Sequence, residues 1–307
     1  MALGIFLVWY SYNATSAEER RQIIHYITGA NPFWIGLSVV LGILSHVSRA
    51  VRWRYLLAPL GYRPRVLNTI FIVLIAYFAN LGIPRSGEVL RATALTTYEK
   101  VPFEKGFGTI VTERVIDMIM LLLIVALALV LQTDIILEFL EQRGVSLSGT
   151  AGILVLALFG FLLVLSLIKR SRSPFANKLK VFLRGLLDGL LSVFKMERKW
   201  PFLLHTLFIW AAYVGMFWVI KHTVEETQAL GFSQLLVAFV AGAFAISTTN
   251  GGIGLYPIAV SAALGIFGIS AVSGNAFGWI MWIAQTLMVV VFGAISFLVL
   301  PLLNRNR

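Results

Sequence analysis

The chain has 307 residues, 59% of them hydrophobic and 13% charged, with a mean hydropathy of +0.87, a net charge of +11 and no cysteine. Soluble domains carry about 25% charged residues, so this composition excludes a soluble enzyme and points to an all-α fold, a polytopic transmembrane helical bundle. The missing cysteines exclude disulfides, thiolate metal ligands and cysteine nucleophiles; the basic excess reads as membrane topology rather than nucleic-acid binding, because Lys and Arg accumulate on the cytoplasmic side of bilayer proteins.

In chain order, six segments are expected to cross the membrane: about 1–12, 33–56, 106–132, 150–168, 200–220 and 275–301. The first is weak, since a span needs about 20 residues. Met1–Tyr10 has no basic n-region and no small-residue cleavage site, so no cleavable signal peptide is expected. Two further apolar stretches are broken near their middles. The first break reads Asn80-Leu-Gly-Ile-Pro-Arg-Ser-Gly87 and the second Ser247-Thr-Thr-Asn-Gly-Gly-Ile-Gly254. Broken helices at membrane depth are tolerated only where the backbone is buried in protein or lines a cavity.

Charge decides how these broken segments run. If both are re-entrant hairpins, about 66–98 from the cytoplasm and 232–268 from outside, then 54–105, the linker 169–199 and the C-terminus all face inward. Counted with the inner end of the second span from residue 44, which adds Arg49 and Arg52, twenty of the 25 Lys and Arg then lie inside and four outside, with Arg114 inside a helix. The acidic loops 133–149 and 221–231 fall outside. Both termini are expected in the cytoplasm, and residues 1–307 form one integral membrane domain. Opposed hairpins whose unwound tips meet near midplane are an architecture of secondary transporters, with the substrate site at the tips. Within the linker, 174–198 has apolar residues at helical spacing interleaved with lysines and arginine. It reads as an amphipathic helix on an anionic leaflet.

Three constellations carry the candidate chemistry. In Pro84–Arg91, Pro84 and Ser86 are expected to start a helix with Ser86 as N-cap. Arg85, Glu88 and Arg91 then follow at i, i+3 and i+6, with Glu88 bridging both guanidiniums. A helix start with two arginines suits a phosphate; the competing reading is a salt-bridge network anchoring the hairpin. In the span 106–132, Glu113 and Asp117 share a face and Arg114 lies one step round. Ionisable groups at that depth usually pair inside the bundle. The expected partners are Arg85 and Arg91, or Arg49, Arg52 and Arg54, acting as a packing clamp or in charge coupling. At the second break, Asn250 brings a polar group while Gly251, Gly252 and Gly254 let the backbone approach a ligand or another helix closely. The four histidines lie far apart, so no metal and no cofactor is expected.

Taken together, Arg52-Trp-Arg-Tyr-Leu-Leu57, Pro84–Arg91, Glu113-Arg-x-x-Asp117 and Gly251-Gly-Ile-Gly254 resemble the lysylphosphatidylglycerol synthase transmembrane region, a flippase-like family of integral membrane proteins. The resemblance covers nearly the whole chain. It departs at the second tip, where Asn250 and Pro257 flank the glycines and family members commonly carry Pro and Glu. The family's soluble aminoacyl-transferase domain has no counterpart here. The resemblance implies a prokaryotic inner-membrane protein that flips a phosphate-bearing lipid, whether a membrane phospholipid or a polyprenyl-phosphate lipid. Arg85, Ser86, Glu88, Arg91 and the Asn250–Gly254 tip would bind it, and Glu113, Arg114 and Asp117 would couple charge. The alternatives are a non-transporting scaffold or an intramembrane lipid-headgroup enzyme, for which the sequence offers no nucleophile or metal set. Homo-oligomerisation is left open.

Overall fold

The computed structural model describes residues 2–133, 173, 177 and 196–305. The expected span 150–168 lies outside the described residues, and so does the expected amphipathic helix 174–198 apart from residues 177 and 196–198. The chain divides into two compact units, Met1–Val125 with Arg198–Arg307, and Ala126–Glu197. The first holds all the candidate site residues.

Among the described residues there are ten α-helices and no strand. They are α1 (Ala2–Ala14), α2 (Ala17–Gly29), α3 (Pro32–Leu57), α4 (Val66–Gly82), α5 (Ser86–Glu99), α6 (Phe103–Leu131), α7 (Lys199–Ile220), α8 (Phe232–Thr248), α9 (Leu255–Gly265) and α10 (Ala271–Leu303). Four of them, α3, α6, α7 and α10, are long and apolar enough to cross a membrane. They match four of the expected spans. Helix α1, at about 20 Å for 13 residues, is shorter than the hydrocarbon core.

Local sequence explains where these helices begin. Ser16 caps α2 by a full capping box, its side chain accepting from the Glu19 N–H while the Glu19 carboxylate accepts from the Ser16 N–H. Asn31 caps α3 ahead of Pro32 at the first helical position. Helix α10 starts at Ser270, whose hydroxyl accepts from the Ser273 N–H and donates to Glu226 at 3.0 Å. The Ser270 N–H donates to the same carboxylate at 2.9 Å and holds it below the usual glutamate range. A depressed carboxylate adds stability above its unfolded value, and that stability is lost as pH falls through the folded value. The bonds are solvent-exposed, so screening leaves under about 0.5 kcal/mol. A small fall in melting temperature between about pH 5 and pH 3 is therefore expected, and Glu226→Gln should abolish that part of it. A melt of that variant with an unchanged pH profile would remove Glu226 as the cause.

Side-chain pairs fix the helix directions. Helices α3 and α7 pack antiparallel, joined by Trp34 stacked on His222, Ser48 bonded to His205 at 2.8 Å and Arg52 donating to Thr206 at 3.3 Å. Helix α6 is antiparallel to α3, with the Trp53 indole donating to Thr109 at 2.8 Å. Helix α10 runs parallel to α3, where Gly42 abuts Met288 and Gln285 donates to Ser38. It runs antiparallel to α4, where Asn68 and Asn304 exchange hydrogen bonds at 3.1 Å.

The two broken segments fold as helix–turn–helix pairs. In the first, α4 ends at Gly82 and α5 starts at Ser86, the turn closing with the Ser86 N–H on the Ile83 carbonyl at 3.2 Å. Arg85 is the N-cap residue, in the left-handed region at φ 61°, a conformation that costs a side-chain-bearing residue of order 1 kcal/mol. The expectation that Ser86 caps α5 is therefore corrected. Its hydroxyl instead donates to the Ala79 and Ile83 carbonyls, because α4 lies close enough to use it. The capping role passes to Asn80, whose side-chain oxygen accepts from the Gly87 N–H at 2.8 Å. In the second pair, α8 and α9 are joined by the turn Thr249–Gly254, in which Gly251, Gly252 and Gly254 all have positive φ.

Candidate functional site

Arg49 and Arg52, at i and i+3, share one face of α3; Glu113 and Asp117, at i and i+4, share one face of α6. Antiparallel packing sets these faces opposite each other. Arg49 Nη1 donates to Glu113 at 2.8 Å and to Asp117 at 2.5 Å. Arg52 Nη2 donates to Asp117 at 2.9 Å and lies 3.6 Å from Glu113. Helix α5 brings the third guanidinium: Arg91 grips Glu113 with two parallel bonds of 2.9 Å, one to each carboxylate oxygen. Its guanidinium carbon also lies 3.9 Å from the centroid of the Trp53 ring, a stacking geometry.

The cluster is deep. Glu113 and Arg52 are completely buried, and Arg49 and Arg91 nearly so. At 1.5 Å per residue Glu113 lies about 15 Å into α6 and Arg49 about 12 Å from the end of α3. Helix α7 completes the enclosure, Tyr213 accepting from Arg49 at 3.2 Å and Thr206 from Arg52 at 3.3 Å. Beside it the ring of His46 packs on Tyr77 at 4.2 Å between centroids. One turn nearer the hairpin tip, Glu88 accepts from Arg114 at 2.9 Å in a half-exposed pair.

These contacts correct part of the sequence reading. Glu88 does not bridge Arg85 and Arg91. The left-handed Arg85 leaves the helix face, and Arg91 turns inward to Glu113, so Glu88 is free to take Arg114 across the α5–α6 interface. Arg85 is exposed at the hairpin tip and is not a partner of Glu113 or Asp117. Arg54 is not one either, since its Nε donates to the Pro64 carbonyl at 2.9 Å. Of the partners weighed from sequence, the structure brings Arg91, Arg49 and Arg52 together on the two carboxylates. Trp53, Thr206 and Tyr213 had no sequence signal pointing to this cluster, because their role depends on which neighbour their helix meets.

The second tip lies against the first. The Asn250 amide donates to the Gly82 carbonyl at 3.3 Å, and the Trp282 indole of α10 donates to the Gly251 carbonyl at 2.7 Å. Gly254 packs against α1: at φ 73°, a side chain there would put its Cβ 2.5 Å from the Gly4 carbonyl oxygen. Thus Asn250, Gly251 and Gly254 are engaged in backbone-scale contacts between elements, and Gly252 is buried beside Tyr256. Among the described residues no group of three His, Asp or Glu is arranged to hold a metal ion.

The lysylphosphatidylglycerol synthase TM region family matches residues 1–293, and the chain belongs to that family. It is a multi-pass membrane protein. It is similar to a UPF0104 membrane protein of Methanocaldococcus jannaschii, 34% identical over 99 residues, or 31% of this chain and 30% of the relative. A UPF0104 membrane protein of Methanothermobacter thermautotrophicus is 31% identical over 112 residues, covering 36% and 32%. The Glycosyltransferase AglD of Haloferax volcanii is 28% identical over 99 residues, covering 32% and 16%. The matched segments thus span about a third or less of each relative.

Proposed function

We propose that this member of the lysylphosphatidylglycerol synthase TM family translocates a phosphate-bearing lipid, or a lipid-linked headgroup, between the leaflets of a prokaryotic inner membrane. The observation that carries this reading is the buried cluster, where three guanidiniums meet two carboxylates at membrane depth beside a helix–turn–helix tip. Ionisable groups are expensive inside a bilayer and mark substrate pathways there. Arginine forks match phosphate geometry as well as they match carboxylate.

In this reading the two helix pairs are re-entrant. Helices α4 and α5, at 17 and 14 residues, are about 26 and 21 Å long, short of a 30 Å core. The helix directions agree with charge sorting: α3 and α10 run one way, while α4, α6 and α7 run the other. The C-terminus then lies on the cytoplasmic side, with the loop that joins α3 to α4. The exposed Arg85 at the tip receives the headgroup phosphate and Arg91 passes it to the cluster. Glu113 and Asp117 hold the guanidiniums in register when no phosphate is present, and Glu88 positions Arg114. The contact between Asn250 and Gly82 closes the path on the far side, while acyl chains stay in the bilayer.

The test is leaflet exchange of fluorescent phospholipid and polyprenyl-phosphate lipids in proteoliposomes. Arg91→Ala is expected to lower flux at least about 100-fold, by analogy with loss of a charge-assisted fork, while keeping a monodisperse fold, because Glu113 retains Arg49. Arg85→Gln should lower flux with no change in melting temperature. Absence of flux for every lipid with the unaltered protein, with and without a proton gradient, would overturn the reading.

A further inference from the structure

The charge of the cluster is unbalanced, and the imbalance has a definite size. The core holds Arg49, Arg52 and Arg91 against Glu113 and Asp117. The adjoining pair, Arg114 with Glu88, is internally neutral. With histidine counted neutral, four guanidiniums face three carboxylates, leaving one positive charge. The Nε groups of Arg49, Arg52 and Arg91 have no hydrogen-bond partner, although all three side chains are more than nine-tenths buried. The cluster therefore has both a charge and three fixed donors to spare, which is the signature of an anion site rather than of a closed packing clamp.

We infer that this cluster selects a headgroup carrying a single negative charge, the phosphodiester of a phospholipid, over a phosphomonoester or diphosphate lipid. The inference rests on the translocation reading for its setting, since it names the substrate class of the same site. A phosphodiester neutralises the residual charge. A phosphomonoester carries about −1.5 to −2 at neutral pH and would leave the buried site net negative, which the low dielectric penalises. Glu113 is the natural point of exchange. Its two oxygens occupy the Arg91 fork in the geometry that two phosphate oxygens would take, so the phosphodiester competes with Glu113 for Arg91 as it enters.

The experiment measures equilibrium binding to the purified full chain in nanodiscs of phosphatidylcholine. The probes are short-chain fluorescent phosphatidylglycerol and phosphatidic acid with identical tails, and soluble dimethyl phosphate. Phosphatidylglycerol is expected to bind at least about tenfold more tightly than phosphatidic acid at pH 7.5. Dimethyl phosphate should bind far more weakly than either. Glu113→Gln, which raises the residual charge by one, should reverse the order of the two lipids. Should that variant fail to fold, Glu88→Gln provides the same change from a less deeply buried position, and it should narrow or reverse the preference. Equal or tighter binding of phosphatidic acid by the unaltered protein, or a preference of undiminished size in Glu88→Gln, would overturn the charge rule. Dimethyl phosphate binding as tightly as the lipid would overturn the lipid assignment. Flux of both lipids alongside a failed charge rule would leave the translocation reading standing. A confirmed charge preference without flux of any lipid would do the reverse.

Discussion

Glu113→Ala is expected to be the most destabilising single change in the described part of the chain, at about 3–5 kcal/mol. The carboxylate is completely buried and accepts from Arg49 and from both Nη atoms of Arg91. Removing it leaves Asp117 alone against three guanidiniums. The cost comes from the uncompensated arginines more than from the lost attraction, since a buried unpaired charge keeps its full desolvation penalty. A double-mutant cycle separates the two. Arg91→Ala combined with Glu113→Ala should be less destabilised than the sum of the single changes by about 1–3 kcal/mol. The readouts are recovery of monodisperse protein on gel filtration and the thermal melt in detergent. A Glu113→Ala protein that melts like the parent would show that the bonds joining α6 to α3 and α5 do not hold the fold.

Gly87→Val is the second large effect expected. Gly87 sits in the first turn of α5, where α5 leaves the hairpin tip against α4. A Cβ added there would run into the Ala76 carbonyl oxygen and lie 2.8 Å from the Ala76 carbonyl carbon and the Asn80 amide nitrogen. Two of those atoms are backbone, so no rotamer change relieves the clash. Overpacking a tight contact typically costs about 1–3 kcal/mol. Here it must also separate Asn80 from the Gly87 N–H, adding an unpaired donor at the helix start. The hairpin is expected to splay, displacing Arg91 from Glu113. Flux should therefore be lost together with stability, whereas Gly82→Val, at a position with nothing within 4 Å of an added Cβ, should be tolerated. Both readouts unchanged in Gly87→Val would show that α4 and α5 are not held at this spacing.

Much of this fold was legible in sequence because membrane solvation simplifies the reading. Long apolar runs must be helices, since no other structure satisfies the backbone in hydrocarbon. The spans at α3, α6, α7 and α10 followed from length and hydropathy alone. The glycine-, proline- and asparagine-containing breaks at 80–87 and 247–254 marked the two turns for the same reason. Glu113 and Asp117 stood out because carboxylates at that depth need partners.

Sequence could not decide which partners they take. Arg85 and Arg91 looked equivalent in a linear pattern, six residues apart beside Glu88. The turn geometry separates them, since a left-handed Arg85 points away from the helix while Arg91 faces the bundle. The capping role expected of Ser86 fell to Asn80 because the nearest acceptor for a short hydroxyl lay on α4, and helix-capping preference knows nothing of the neighbouring helix. The directions of the helices, and the contact of Asn250 with Gly82, likewise depend on packing between elements far apart in the chain. Composition and pattern along the chain are enough for the class, an all-α membrane bundle with two broken segments and buried charges of both signs. The pairing of those charges came from packing. Hydrophobicity acts through composition along one segment, whereas a charge-assisted hydrogen bond requires two atoms within about 3 Å, and that distance exists only once the helices have packed.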